Sequence, residues 1–171
     1  MLVIVGHGPS IVGKRLGPWL DNQVVVRLKE GPRPNAEDWG TRIDYRCAGA
    51  DGWPNDCPLW VLPARRKVHH LFASREGVSV TDGRWYEYFN SFQPKYEPTT
   101  GLRAIFGAVE FLQAKEIGLI GFDNILHPWV RGLTKWFHVP GKFNQVHDYD
   151  TEHKAAFGLG VRLIDLGDGF G

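Results

Sequence analysis

Two short stretches of this sequence carry residue types suited to holding a phosphate. Gly6-His7-Gly8-Pro9-Ser10 and Pro98-Thr99-Thr100-Gly101 each combine glycine, which lets a backbone approach an anion, with hydroxyls that donate hydrogen bonds to it. A nucleotide or sugar phosphate suits both, although Gly-Pro and Pro-Thr are also ordinary turn chemistry. Two familiar motifs fail on inspection. Gly8-Pro9-Ser10-Ile11-Val12-Gly13-Lys14 has GxxxxGK spacing, but Arg15 stands where a Ser or Thr must hold magnesium. Gly6-x-Gly8 opens a dinucleotide fingerprint, but Ile11 stands where its third glycine must admit close helix packing. No metal spacing occurs: His147 and His153 do not share a helix face, and His127 and His138 lie in an irregular stretch. Arg65, Arg66 and Lys67 with His69 and His70 read as a solvated basic face, the alternative being contact with an acidic acceptor or a nucleic acid backbone. Trp85, Tyr86, Tyr88, Trp129 and Trp136 read as packing, with stacking on a sugar or base as the alternative.

The elements that must position these loops follow from hydrophobic pattern. Leu2-Val3-Ile4-Val5 is a buried-type strand running into the first glycine loop, and residues 11–20 have weak helical spacing. After a turn at residues 18–22, residues 23–28 form a second strand, completing a strand-helix-strand unit. Residues 41–47 and 59–62 are further strand candidates, whereas residues 64–96 have no decisive period. Leu102, Ile105, Phe106, Ala108, Val109 and Leu112 predict an amphipathic helix with a threonine near its N-cap, followed by an apolar strand over 117–122 that ends at Asp123. The long irregular stretch 124–146 has the length of a binding loop or lid. Residues 150–159 predict a helix and 161–166 a last strand. The alternation implies an α/β fold with a mostly parallel sheet.

Composition fits one domain over residues 1–171. Hydrophobic residues are 43%, aromatics 13% and charged residues 23%, enough for a real core and unlike a disordered or coiled-coil chain. Lys plus Arg number 20 against 19 Asp plus Glu, so nothing drives the whole molecule toward nucleic acid or an anionic membrane. No apolar run is long enough for a signal segment or a span, which makes a cytoplasmic protein the expectation. Cys47 and Cys57 lack CxxC spacing and read as free thiols.

Three ordered blocks resemble sialyltransferases. Gly6-His7-Gly8-Pro9-Ser10 with Val24-Val25-Val26-Arg27 resembles the large donor-binding motif of that family. Pro98-Thr99-Thr100-Gly101 with Gly121-Phe122-Asp123 is similar to the small motif, and His147-Asp148-Tyr149-Asp150-Thr151-Glu152 has the H-x4-E spacing of the very short motif. Trp136-Phe137-His138 lies where eukaryotic members carry another histidine element. The blocks frame the chain, and residues 31–96 are unmatched.

The resemblance implies a single Rossmann-like domain with helices flanking the sheet, a variant of the GT-A-like kind. It implies a soluble glycosyltransferase of bacterial or phage type that takes a CMP-activated sugar to an acceptor hydroxyl, inverting and without a metal or other cofactor. The donor nucleotide would then meet Gly6, His7, Gly8, Pro9, Ser10, Arg27, Lys29, Thr99, Thr100, Gly101 and Asp123. His7 and Lys29 stand where the family has asparagines, and cationic groups hold an anion more strongly than amides do.

An acceptor hydroxyl is a poor nucleophile at neutral pH, and a histidine with an ordinary pKa near 6.5 suits the removal of its proton. His147 is the expected base, Glu152 the residue that caps N–H groups or orients the site, and His138 a further catalytic or charged partner. Two other functions fit the same loops. One is a magnesium-dependent nucleotide phosphotransferase or diphosphokinase, since pterin diphosphokinase-like proteins carry a related G-x-G-P-S loop; Lys14 and Arg15 would serve the phosphates and Asp123 the metal. The other is a binding module for a phospho-ligand or glycan without turnover.

Overall fold

The computed structural model describes residues 1–28, 35–47, 59–61, 78–81, 84–92, 98–123 and 149–167. Its strands are β1 (Leu2–Val5), β2 (Val24–Leu28), β3 (Tyr45–Cys47), β4 (Leu59–Val61), β5 (Val78–Val80), β6 (Glu116–Ile120) and β7 (Arg162–Asp165). They form one seven-stranded sheet in the order β5-β4-β3-β2-β1-β6-β7, and every pairing is parallel. β1 lies between β2 and β6, with Ile4 opposite Val26 on one side and Leu119 on the other. A parallel sheet is covered on both faces, which is why its inner strands are continuous apolar runs.

Helices α1 (Gly17–Leu20) and α2 (Ala36–Trp39) cover one face; α3 (Arg84–Phe92), α4 (Thr100–Leu112) and α5 (Tyr149–Phe157) cover the other. Val3, Val5, Val25 and Ile120 pack with Ile11, Leu20 and Trp39 on the first face. Ile4, Val26 and Leu119 pack with Phe89, Leu102, Ile105, Phe106 and Ala155 on the second. Trp85 stacks on Phe106 with ring centroids 5.0 Å apart, and the Tyr88 hydroxyl donates to the Ala155 carbonyl at 3.0 Å. These two aromatics therefore pack the helical layer.

Several elements differ from their sequence expectation. The single helix expected over 11–20 is a 3-10 turn at Pro9–Ile11 and the separate α1, because Gly13 (φ +79°) and Arg15 (φ 53°) turn left-handed between them. Pro18 sits in the first turn of α1, where its missing N–H costs nothing, and is not the start of a turn. The strand expected over 41–47 is only Tyr45–Cys47, since Asp21 holds the preceding Thr41 and Arg42 in a loop. Residues 64–96, which have no clear period, supply β5 and α3. The helix α4 is more deeply sunk than an amphipathic surface helix: every residue from Gly101 to Ala108 is buried. It ends where Gln113 adopts a left-handed conformation, φ 50°.

Three carboxylates tie the loops on the α1–α2 face. Asp38 accepts from the N–H groups of Gly13 at 2.9 Å and Arg15 at 2.8 Å, and these hold its carboxyl below the usual range. For Asp21, burial acts upward but is outweighed by N–H donation from Arg42 and Thr41. For Asp44, burial is likewise outweighed by the Arg42 side chain and the Val25 N–H, so both end lowered. A lowered native value means that the unfolded chain binds protons first as pH falls. These groups therefore stabilise the fold above about pH 4, and the contribution disappears as pH drops through their native values. Denaturant unfolding followed from neutral pH to about pH 2 is expected to show this loss, and Asp38→Asn to flatten it.

Candidate functional site

The strand order puts a topological switch point between β1 and β6. The chain builds outward from β1 through β2, β3, β4 and β5 to one edge, then crosses to add β6 and β7 on the other side. Ligands of open α/β sheets bind in the crevice beyond the carboxyl ends of strands at such a point. Here that crevice is lined by residues 6–10, which follow β1, and residues 121–123, which follow β6.

The two loops are stitched together. Gly6 N–H donates to the Ile120 carbonyl at 2.8 Å, Gly8 N–H to the Gly121 carbonyl at 2.8 Å, and Ser10 N–H to Asp123 Oδ2 at 3.2 Å. A Cβ on Gly6 would stand 2.2 Å from the Gly121 carbonyl oxygen, and one on Gly8 would stand 2.4 Å from Asp123 Oδ2. These glycines thus serve the approach of one loop to the other. Asp123 is only 6% exposed, and its Oδ1 accepts no hydrogen bond among the described residues. His7 is half-buried at the mouth of the loop, its ring centroid 6.5 Å from that of Trp39.

The second expected loop meets the third block directly. Thr99 caps α4, its Oγ1 accepting from Leu102 N–H at 3.3 Å. Its own N–H donates to Glu152 Oε1 at 2.5 Å and its hydroxyl to Glu152 Oε2 at 2.6 Å. Glu152 lies in the first turn of α5 with no exposed surface. It therefore does cap an N–H group, but on the entry to another helix, 53 residues away in sequence. With Thr99 committed in this way, the hydroxyls of these two loops that hold no hydrogen bond among the described residues are those of Ser10 and Thr100, both half-buried. The first N–H groups of α4, on Thr100 and Gly101, face the end where an anion is favoured. The Cys47 thiol, at the carboxyl end of β3, is 3.7 Å from the Thr100 carbonyl oxygen, and Arg103 Nε donates to the Pro98 carbonyl at 3.0 Å.

Arg27 is buried at the end of β2, where its Nε donates to the Arg42 carbonyl at 2.9 Å and its Nη2 to the Trp39 carbonyl at 2.6 Å. These bonds anchor the connection from α2 to β3. Lys29, His138 and His147 lie outside the described residues, as do Cys57, the basic run at 65–67 with His69 and His70, and His127, Trp129 and Trp136. Pro9 is described in its main chain, as the first residue of the 3-10 turn.

Two residues were missed by the sequence reading. Asp38 fixes the segment that follows the first loop, and its signal is the Asn35-x-x-Asp38 pattern, in which Asn35 Oδ1 caps the Asp38 N–H at 2.7 Å. Trp39 flanks His7, and nothing in its local sequence marks that position. Among the described residues no three His, Cys, Asp or Glu side chains converge as a metal site, and no helix is long and apolar enough to cross a membrane.

No protein-family model matches the sequence, and no curated protein matches it. Solved structures do. A mammalian sialyltransferase superposes with a TM-score of 0.69 at 16% identity, over 97% of this chain and 68% of that one. A mammalian sialyltransferase in complex with Gal-beta-1-3GalNAc-ortho-nitrophenol superposes with a TM-score of 0.68 at 16% identity and the same coverage. Over nearly its whole length, the chain has the Rossmann-type α/β fold of a sialyltransferase.

Proposed function

We propose that this chain is a glycosyltransferase that moves a sugar from a CMP-linked donor to an acceptor hydroxyl, with inversion and without a metal. The observation that carries the reading is the Thr99–Glu152 clamp. In a chain with a sialyltransferase fold, it joins the second and third motif blocks at the carboxyl edge of the sheet. In this reading the donor's phosphate is held at the start of α4 by the Thr100 and Gly101 N–H groups and the Thr100 hydroxyl, with the Ser10 hydroxyl, His7, Lys29 and His138 as further partners. Such donors stabilise charge as it develops on the leaving phosphate.

The reaction balances without a co-reactant. The acceptor oxygen forms a bond to the anomeric carbon from the face opposite the nucleotide, and the bond from that carbon to the phosphate oxygen breaks with its electron pair leaving on CMP. The hydroxyl proton passes to His147. Glu152 acts as a positioning residue: by binding Thr99 it fixes the first turn of α5, five residues beyond His147.

A thermal-shift panel of CMP, CDP, UDP, GDP, ADP and ATP, each with and without magnesium, tests the donor assignment, because a ligand of the folded state raises apparent stability. Selective, metal-independent stabilisation by CMP is expected. A magnesium-dependent shift with ATP would replace transfer by phosphoryl chemistry, and silence throughout would leave a non-catalytic module. His147→Ala is expected to keep the fold and the CMP shift while transfer falls by about 100-fold or more, the scale of a lost general base. Unchanged transfer removes His147 from the mechanism.

A further inference from the structure

Most main-chain N–H groups of the first loop are already spent, which makes it a poor phosphate cradle compared with the start of α4. Of its N–H groups, Gly6 is spent on Ile120, Gly8 on Gly121 and Ser10 on Asp123, and Pro9 has none. Against the loop stands a carboxylate rather than a cation: all three carboxyl atoms of Asp123 lie within 2.9 Å of where a Gly8 Cβ would be. A phosphate brought to this point would meet a like charge at short range. Among the described residues Asp123, 6% exposed, forms no ion pair and receives one backbone N–H, which leaves Oδ1 uncommitted in the switch-point crevice. A carboxylate oxygen open to the crevice in that state is satisfied by a group that donates a hydrogen bond and carries no negative charge.

We infer that Asp123 Oδ1 is the acceptor for the ribose hydroxyls of the donor nucleotide. The nucleoside then occupies the crevice between residues 6–10 and 121–123, and the phosphate is turned toward the start of α4. This deepens the proposed function and rests on it. A vicinal diol offers two donors and no charge, the complement of a carboxylate with an oxygen to spare, and a charge-assisted bond of this kind is among the stronger ones. The assignment divides labour between the two loops that look alike in sequence. One reads the nucleoside through a carboxylate; the other holds the anion through N–H groups and hydroxyls.

The test compares the binding of CMP, 2′-deoxy-CMP, 3′-deoxy-CMP and UMP by calorimetry, first to the unaltered protein, which requires no variant to fold. CMP is expected to bind at least about tenfold more tightly than a deoxy analogue, the scale of one hydrogen bond to a charged group. In Asp123→Asn, which keeps an acceptor for Ser10 N–H, that ratio is expected to fall to within about twofold. Equal binding of CMP and both deoxy analogues by the unaltered protein, or an undiminished ratio in Asp123→Asn, overturns the role of Asp123 and leaves the transferase reading standing. A preference for CMP over UMP that Asp123→Asn abolishes, with no dependence on the sugar hydroxyls, moves the contact to the base amine and overturns the ribose assignment. Failure of the unaltered protein to bind any of the four overturns the CMP-sugar reading and this inference with it.

Discussion

Glu152→Ala is expected to lower the stability of the fold by about 3 kcal/mol or more, since half-buried Thr99 loses two hydrogen bonds, from its N–H and its hydroxyl, to a fully buried carboxylate, each bond to a charged group being worth about 1.5–3 kcal/mol. In a domain of this size that corresponds to a fall in Tm of about 6–12 °C, read by calorimetry or circular dichroism. Glu152→Gln separates charge from geometry. Its carbonyl oxygen still accepts from the Thr99 N–H, and its amide donates back to Thr99 Oγ1, so about 1 kcal/mol is the expected loss. If alanine costs no more than glutamine, the clamp does not hold the helices together. Transfer is expected to fall further than CMP binding in the alanine variant, because the first turn of α5 moves with its anchor while the first loop is untouched.

Gly6→Ala is the second large effect, and Gly8→Ala is its control. At position 6 the new methyl would stand 2.2 Å from the Gly121 carbonyl oxygen and 2.9 Å from its carbon, both main chain just beyond the paired ends of β1 and β6. No rotamer relieves that contact. The carboxyl ends of β1 and β6 must separate, and the Gly6 N–H bond to Ile120 breaks with them, at an expected cost of about 3 kcal/mol or more. At position 8 the obstacle is the Asp123 carboxyl group, a side chain able to rotate away. Gly8→Ala is expected to cost about 1–3 kcal/mol and to abolish nucleotide binding in protein that still folds. Denaturant midpoints at unchanged m-value, with CMP titrations beside them, distinguish the two. Equal stability of the two variants would mean that the main-chain approach at Gly6 is not a constraint.

The inner strands were legible because their signal is local. Leu2–Val5, Val24–Leu28 and Glu116–Ile120 are short apolar runs bounded by turn residues, and α4 announces itself by a threonine cap and a helical period. The α/β class with a parallel sheet follows from that alternation alone. What failed was whatever depends on contacts across the chain. Ile11, Leu16 and Leu20 share one core cluster, and so imitate a helix, while belonging to a 3-10 turn, a loop and α1 in turn. Glycines 6 and 8 stand out in the sequence as residues that admit a ligand, and the structure shows a close approach to a neighbouring loop, which demands the same residue. The Thr99–Glu152 bond spans 53 residues, a partnership that spacing cannot express. Arg27 is named from the resemblance of its strand to the large motif, and spacing gives no sign that its Nε and Nη2 donate to the main-chain carbonyls of Arg42 and Trp39.

The position of β1 also governs the order in which this molecule can be made. Its first neighbour, β2, begins at Val24, but the other, β6, begins only at Glu116. During synthesis one side of β1 therefore remains an unpaired ladder while the ribosome adds most of the chain, and pairings at such separation form slowly. Nascent chains halted short of β6 expose the same apolar edge that later closes the crevice, the kind of surface chaperones hold and other strands capture. Glu152 emerges later still, so the Thr99–Glu152 clamp is among the last features to form, and slowed translation between β2 and β6 prolongs the interval of greatest exposure.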